Sequence, residues 1–136
     1  MLGLMQDWPL LVHKIIDHAA LYHGDREVVT RSCEGPIHRT TYRDIRRRAR
    51  RIASALERLG IRPGDRVATL GANTWRHLEA WYGIAGMGGV YHTLNPRLFV
   101  DQLVYIANHA EDRALFFDMG YAQLVSQIAP RLETVK

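Results

Sequence analysis

Seven histidines and a single cysteine are the residues of this 136-residue chain best suited to bind a metal or move a proton. His13, His18 and His23 recur every five residues, which turns successive rings by about 140° around a helix. Three such rings cannot converge on one ion, as a pair spaced by four can. His38, His77, His92 and His109 are scattered, and Cys33 brings no second thiol, so no metal centre is expected. No paired carboxylates and no Ser-His-Asp order stand out, and Asp112-Arg113 fits a turn before a strand.

Two segments could approach a phosphate or another small ligand. Gly83, Gly86, Gly88 and Gly89 imitate a glycine-rich loop, but they close a helix and open a strand. A phosphate loop runs the other way, so that free N–H groups at a helix start meet the anion. Helix termination and close packing account for these glycines better. Leu70-Gly71-Ala72-Asn73-Thr74 has the correct strand-to-helix direction but neither the lysine nor the spacing of a nucleotide loop. A capped helix start is its plainer role, and a small-ligand contact its sharper one.

Six arginines between Arg43 and Arg51 concentrate the basic excess of this chain, whose net charge is +4. On a helix, Arg43, Arg47, Arg50 and Arg51 fan out opposite or beside an apolar stripe, and no aromatic residues interleave with them. A solvated basic face explains them, and no nucleic-acid partner is expected.

These side chains must be positioned by elements that the spacing of apolar residues predicts. Leu11, Val12, Ile15, Ile16 and Ala19 predict a first helix, with Pro9 in its first turn. Glu27–Arg31 and Ile37–Thr41 predict a β-hairpin joined through Glu34-Gly35-Pro36. Thr41 and Asp44 start a long helix with the stripe Ile45, Ala49, Ile52, Leu56 and Leu59. Strands follow at Val67–Leu70, Val90–Leu94 and Ala114–Phe117. They alternate with a helix capped by Asn73 or Thr74, a helix at Val100–His109 and another at Tyr121–Ala129. Strand–helix alternation with short connections predicts a three-layer α/β fold whose mostly parallel sheet follows an amino-terminal β-hairpin. Apolar runs within the strands agree, since a sheet covered on both faces need not alternate.

With 47% hydrophobic and 24% charged residues the chain has a globular composition. No apolar run reaches the roughly 18 residues of a transmembrane segment. Met1 to Pro9 lacks a basic start and contains Asp7, unlike a signal peptide. One cysteine fits a reducing compartment, and the expected location is cytoplasmic, with peripheral contact to the inner membrane left open. Leu132–Lys136 falls where another strand is due, so the chain is expected to be part of a longer fold.

Particular residues carry a family resemblance. Thr40-Thr41-Tyr42-Arg43-Asp44, followed by Arg50-Arg51-Ile52-Ala53-Ser54-Ala55-Leu56, resembles the first core motif of the adenylate-forming superfamily. Arg62-Pro63-Gly64-Asp65-Arg66-Val67-Ala68 is similar to its "PGDRVA" turn and strand. Ile84 to Val90, with Asn95-Pro96-Arg97-Leu98, resembles its second motif, although His92-Thr93 replaces a common valine-proline pair. Glu34 to Arg39, His92 to Phe99 and Asn108 to Asp112 point to the fatty acyl-CoA ligase branch, and the resemblance runs from about Leu10 to Ala129.

What the resemblance implies is an AMP-forming ligase using ATP, Mg²⁺ and coenzyme A to activate a fatty or other carboxylic acid. Residues 1–136 would form the amino-terminal part of its large domain, a partial subdomain. The remainder of the catalytic domain and the carboxy-terminal domain lie outside. The phosphate loop and catalytic lysine of the family have no counterpart here, so no catalytic residue is carried over and the segment is expected to be structural and inactive alone. Ligands of parallel sheets bind beyond the strand carboxyl ends, which makes His92, Asn95 and Arg97 the residues expected nearest substrate. A homodimer is one open option. The alternative is a self-standing α/β module that binds a ligand or partner.

Overall fold

The computed structural model describes residues 3–4 and 6–135. Helix α1 (His13–Tyr22) precedes the hairpin β1 (Glu27–Arg31) and β2 (Ile37–Thr41), which runs directly into α2 (Tyr42–Arg58). Then come β3 (Arg66–Leu70), α3 (Trp75–Gly86), β4 (Val90–Thr93), α4 (Val100–His109), β5 (Ala114–Phe117) and α5 (Ala122–Ile128). Single 3₁₀ turns at Met119–Tyr121 and Ala129–Arg131 flank α5.

The sheet order is β4-β3-β5, with both edge strands parallel to β3. Val67 is opposite Tyr91 on one side and Ala114 on the other. On one face of the sheet, Val67 packs with Leu56, Ile61, Ala80 and Ile84 from the α2–α3 side. On the other, Ala68 and Leu70 pack with Leu103, Val104, Val125 and Ile128 of α4 and α5. The connection β3–α3–β4 moves one way along the sheet and β4–α4–β5 moves back across β3. Right-handed crossovers in opposite directions require helices on opposite faces, which yields the three layers. Each fully buried Leu or Ile, such as Leu103 and Ile84, contributes about 1.5–3 kcal/mol by leaving water.

A satellite core joins Ile16 of α1, Ile45 and Ala49 of α2, and Trp75 and Tyr82 of α3. Gly83 makes the α2–α3 contact close: a Cβ there would lie 2.8 Å from the Ala49 carbonyl oxygen and 2.9 Å from Ile52. Close packing is therefore the role of this glycine, while Gly88, at φ +87°, supplies the left-handed turn into β4.

Three local expectations change. Helix α1 starts at His13 and not near Pro9. Tight turns formed by Leu11 N–H to Pro9 and Lys14 N–H to Leu11 occupy the approach. Its buried residues are Ile16 and Ala20, whereas Ile15 and Leu11 are exposed. At α3 the N-cap residue is Thr74, but its hydroxyl makes no capping bond and is buried without a partner. Leu59, expected on the apolar stripe of α2, is exposed beyond the helix end. By contrast, Thr41 caps α2 as expected, its Oγ1 accepting the Asp44 N–H at 3.2 Å.

The arginine face of α2 is exposed as expected, with Arg43, Arg47, Arg50 and Arg51 all at the surface, and part of it is also ion-paired. Arg43 meets Asp25 at 2.9 Å, Arg47 meets Asp44 at 2.6 Å, Arg48 meets Glu79 at 2.7 Å, and Arg46 engages Asp17. Glu79 is buried, which raises its carboxyl above the usual range despite Arg48 beside it.

Among the described residues no helix is long and apolar enough to cross a membrane. Residues 132–135 form no strand, and Lys136 lies outside the described residues, as do Met1, Leu2 and Met5 of the segment weighed against a signal peptide.

Candidate functional site

The carboxyl ends of β3 and β5 meet where the chain leaves the sheet towards opposite faces. This is the switch-point geometry that opens a crevice in parallel sheets. Asp118, immediately after β5, reaches across it. Its backbone N–H donates to the Leu70 carbonyl at 3.1 Å, and its Oδ2 accepts the Ala72 N–H at 2.8 Å. The Cys33 thiol points at the same oxygen from 3.8 Å, bringing the hairpin loop to the crevice. His77, in the first turn of α3, places Nε2 3.0 Å from Oγ1 of the buried Thr69. Burial pushes the His77 imidazole below its ordinary value, with the Asp118 charge pulling the other way. Burial and the neighbouring acids Asp118 and Glu34 likewise raise the Cys33 thiol, so it is no activated nucleophile. Beside these groups lies a cleft of about 210 Å³, walled by Phe116, Phe117 and Ile52 and edged by the Arg48–Glu79 pair.

The three residues expected near substrate divide into two places. Asn95 and Arg97 share the loop that follows β4, with Asn95 Oδ1 accepting the Arg97 N–H at 3.0 Å. That bond is an Asx turn, using the Asn95 side chain to shape the loop while Arg97 remains exposed. His92 is apart from them. Its Nδ1 lies 2.9 and 2.8 Å from the carboxylate oxygens of Asp112, before β5, at the opposite end of the sheet. Asp112 is fully buried, and burial raises its carboxyl against the opposing pull of His92 and Arg66.

Sequence spacing gave no sign of Asp112 as more than a turn residue, nor of His77 or Asp118 as partners. The strand-to-helix direction of Leu70 to Thr74 did mark the loop that Asp118 holds. An acid directly after the Ala114–Phe117 strand was the signal that could have found the second half. Among the described residues no three His, Cys, Asp or Glu side chains are grouped so as to hold a metal ion.

The profile of the AMP-binding enzyme family matches residues 16–136. Over all its 136 residues the chain is 52% identical to the 3-methylmercaptopropionyl-CoA ligase of Ruegeria lacuscaerulensis, covering 25% of that protein. It is 48% identical to the long-chain-fatty-acid–CoA ligase of Thermus thermophilus, over 97% of this chain and 24% of the relative. The N-terminal domain of FACL13 from Mycobacterium tuberculosis superposes with a TM-score of 0.84 over 94% of this chain and 33% of that structure. At 24% identity that match speaks for the fold alone. The chain thus spans about a quarter of the length of the curated relatives it matches. With the profile running from α1 through the last described turn, this chain belongs to the AMP-binding enzyme family.

Proposed function

We propose that the chain is the amino-terminal part of the large domain of an ATP-dependent acid–thiol ligase acting on a fatty or other carboxylic acid. The observation that carries the reading is identity of 48–52% to CoA ligases across nearly the whole chain, at a quarter of their length. In such a reaction the carboxylate attacks the α-phosphate of ATP, giving an acyl-adenylate and pyrophosphate, and the thiol of coenzyme A then displaces AMP. Mg²⁺, when bound, offsets phosphate charge. Among the described residues no three His, Cys, Asp or Glu side chains cluster, and no step is assigned to the ion within this segment.

The work of these residues is positional. The buried β3 strand and the α2–α3 and α4–α5 layers hold the strand ends rigidly, as a site built on packed elements requires. The loop carrying Asn95 and Arg97 is the part of this segment that we place nearest substrate, and His92, whose ring turns to Asp112, would serve it only by holding β4 beneath the loop.

The test compares residues 1–136 with the full-length protein, assaying carboxylic-acid-dependent pyrophosphate release and acyl-CoA formation. The expected outcome is turnover by the full-length protein and none by the segment. Turnover by the segment above a boiled control, or no ligase activity in the full-length protein with any fatty or short acid, overturns the reading.

A further inference from the structure

Helix α3 begins without a cap. Its N-cap residue Thr74 has the extended backbone of a capping position, φ −111° and ψ 172°, yet its hydroxyl accepts no bond from the first turn. That turn contains no acidic residue either. The backbone N–H groups of Trp75, Arg76 and His77 are orphaned by helix geometry and find no other acceptor among the described residues. In α2, by contrast, the Thr41 hydroxyl closes the helix start. The Thr74 side chain is unusual in itself: the residue is only 6% exposed, and its Oγ1 is buried with no hydrogen-bond partner. A buried hydroxyl left unpaired is destabilising, and each such group in a folded protein calls for an explanation.

Thr74 is part of the wall of a cleft of about 490 Å³ between α3, β1 and β4. Asn73, Thr30 and Thr93 add polar groups to that wall, and Trp81 and Tyr91 add aromatic rings. No aspartate, glutamate, lysine or arginine lines it. The uncapped helix start therefore sets its charge preference, since aligned peptide dipoles and free N–H groups favour an anion. The Asp118 carboxylate, bonded to the Ala72 N–H, lines the other cleft, which shares only His77 with this one. No hydrogen bond fixes χ1 of Thr74, so a staggered rotation can turn its hydroxyl into the cleft.

We propose that the start of α3 is a binding site for an oxyanion carried on an aromatic body. The oxyanion is held by the free N–H groups and the Thr74 hydroxyl, and the ring lies against Trp81 and Tyr91. The neutral counterpart of such a ligand gains the aromatic contacts but not the charge-assisted hydrogen bonds. The site includes neither Asn95 nor Arg97, and the inference goes beyond the ligase reading without resting on it.

The probes are phenyl phosphate and benzoate, which differ in the oxyanion, and benzyl alcohol, which has the ring without the charge. The full-length protein is labelled with 5-fluorotryptophan, and the Trp81 ¹⁹F signal is assigned by its loss in Trp81→Phe. At least one anion is expected to shift that signal saturably, with benzyl alcohol needing at least about fivefold higher concentration for the same shift. The tighter of the two anions identifies the head group. Thr74→Val removes the hydroxyl at nearly constant shape. It should weaken the anion at least about fivefold and leave benzyl alcohol within about twofold. Because no protein hydrogen bond is lost, it should not lower the midpoint of thermal unfolding. The proposal is overturned by a Trp81 signal that neither anion moves, by equal response to benzyl alcohol, or by anion affinity unchanged in Thr74→Val. A lowered thermal midpoint in Thr74→Val also overturns it, since the hydroxyl would then be bonded within the full-length protein. Only the Trp81 signal and the midpoint are read, so failure here leaves the ligase reading to its own assay of pyrophosphate release.

Discussion

His92 and Asp112, twenty residues apart in sequence, meet across the central strand: the imidazole Nδ1 lies 2.9 and 2.8 Å from the two oxygens of a fully buried carboxylate. Residue 92 is on β4, opposite Ala68, and residue 112 precedes β5, so the pair links the two neighbours of β3. The Thr134 hydroxyl donates to the Asp112 carbonyl at 2.7 Å, tying the last described turn to the same corner.

That pair has a pH signature. Burial holds the Asp112 carboxyl above its usual 3.8, so between 3.8 and the raised value the folded protein binds more protons here than the unfolded chain. The stabilising contribution of this group is full below 3.8 and is lost as pH rises through the raised value. Urea unfolding of wild type and Asp112→Asn at a series of pH values should show the wild type losing stability relative to the variant across that window. A difference that is flat or grows with pH would refute the assignment.

His77 gives the opposite slope. Its imidazole is depressed below 6.5, so the unfolded chain binds more protons in the window between the folded value and 6.5. Its contribution is present above 6.5 and fades as pH falls through the folded value; His77→Gln should flatten this dependence. An NMR titration should also show the His77 midpoint falling further in Asp118→Asn, because the Asp118 charge raises it. A midpoint that rises in that variant contradicts the geometry of the crevice.

Two glycines of α3 should respond in opposite ways to the same substitution. Gly83→Ala drives a methyl group into the α2 backbone at 2.8 Å, and overpacking of this kind costs about 1–3 kcal/mol. Gly86→Ala meets only His13 at 3.5 Å, and helix propensity makes it neutral or stabilising by up to about 1 kcal/mol. Chemical denaturation of the two variants side by side is the measurement. Equal losses would show that helix α3 is not seated on α2 as described.

The arginines of α2 should bind duplex DNA weakly, without sequence preference, and less as salt increases. Four of them face carboxylates, which leaves a diminished field for phosphates. Fluorescence anisotropy with a labelled duplex at physiological ionic strength tests this. Tight, sequence-selective binding would restore a nucleic-acid role.

Much of the fold was legible because it depends on local pattern. The hairpin strands Glu27–Arg31 and Ile37–Thr41, the helix Val100–His109 and the strand Ala114–Phe117 all have the bounds that spacing and turn residues predict. Site geometry was less accessible, because it depends on which strands become neighbours. Asn95 and Arg97 could be placed on one loop from sequence adjacency alone. That His92 would face Asp112 follows only once β4 and β5 flank β3, and that Asp118 would hold Ala72 requires the β3–β5 register. Periodicity assigns a residue to a face, but it does not name the partner on a neighbouring strand.

The central place of β3 also constrains how the sheet can assemble. Neither edge strand pairs with the other, so no part of the sheet exists without β3, which is synthesised before both of its partners. Val67 is 24 residues from Tyr91 and 47 from Ala114 (91 − 67 and 114 − 67), so the second loop is about twice as long. Doubling a flexible loop adds only about 0.6 kcal/mol to the entropy of closure. That difference is too small to impose an order on the two closures, but emergence from the ribosome is not symmetrical. β4 becomes available while β5 is still unmade, and the β3–β4 pair with α3 across it is the first nucleus of this three-stranded sheet that the nascent chain can form.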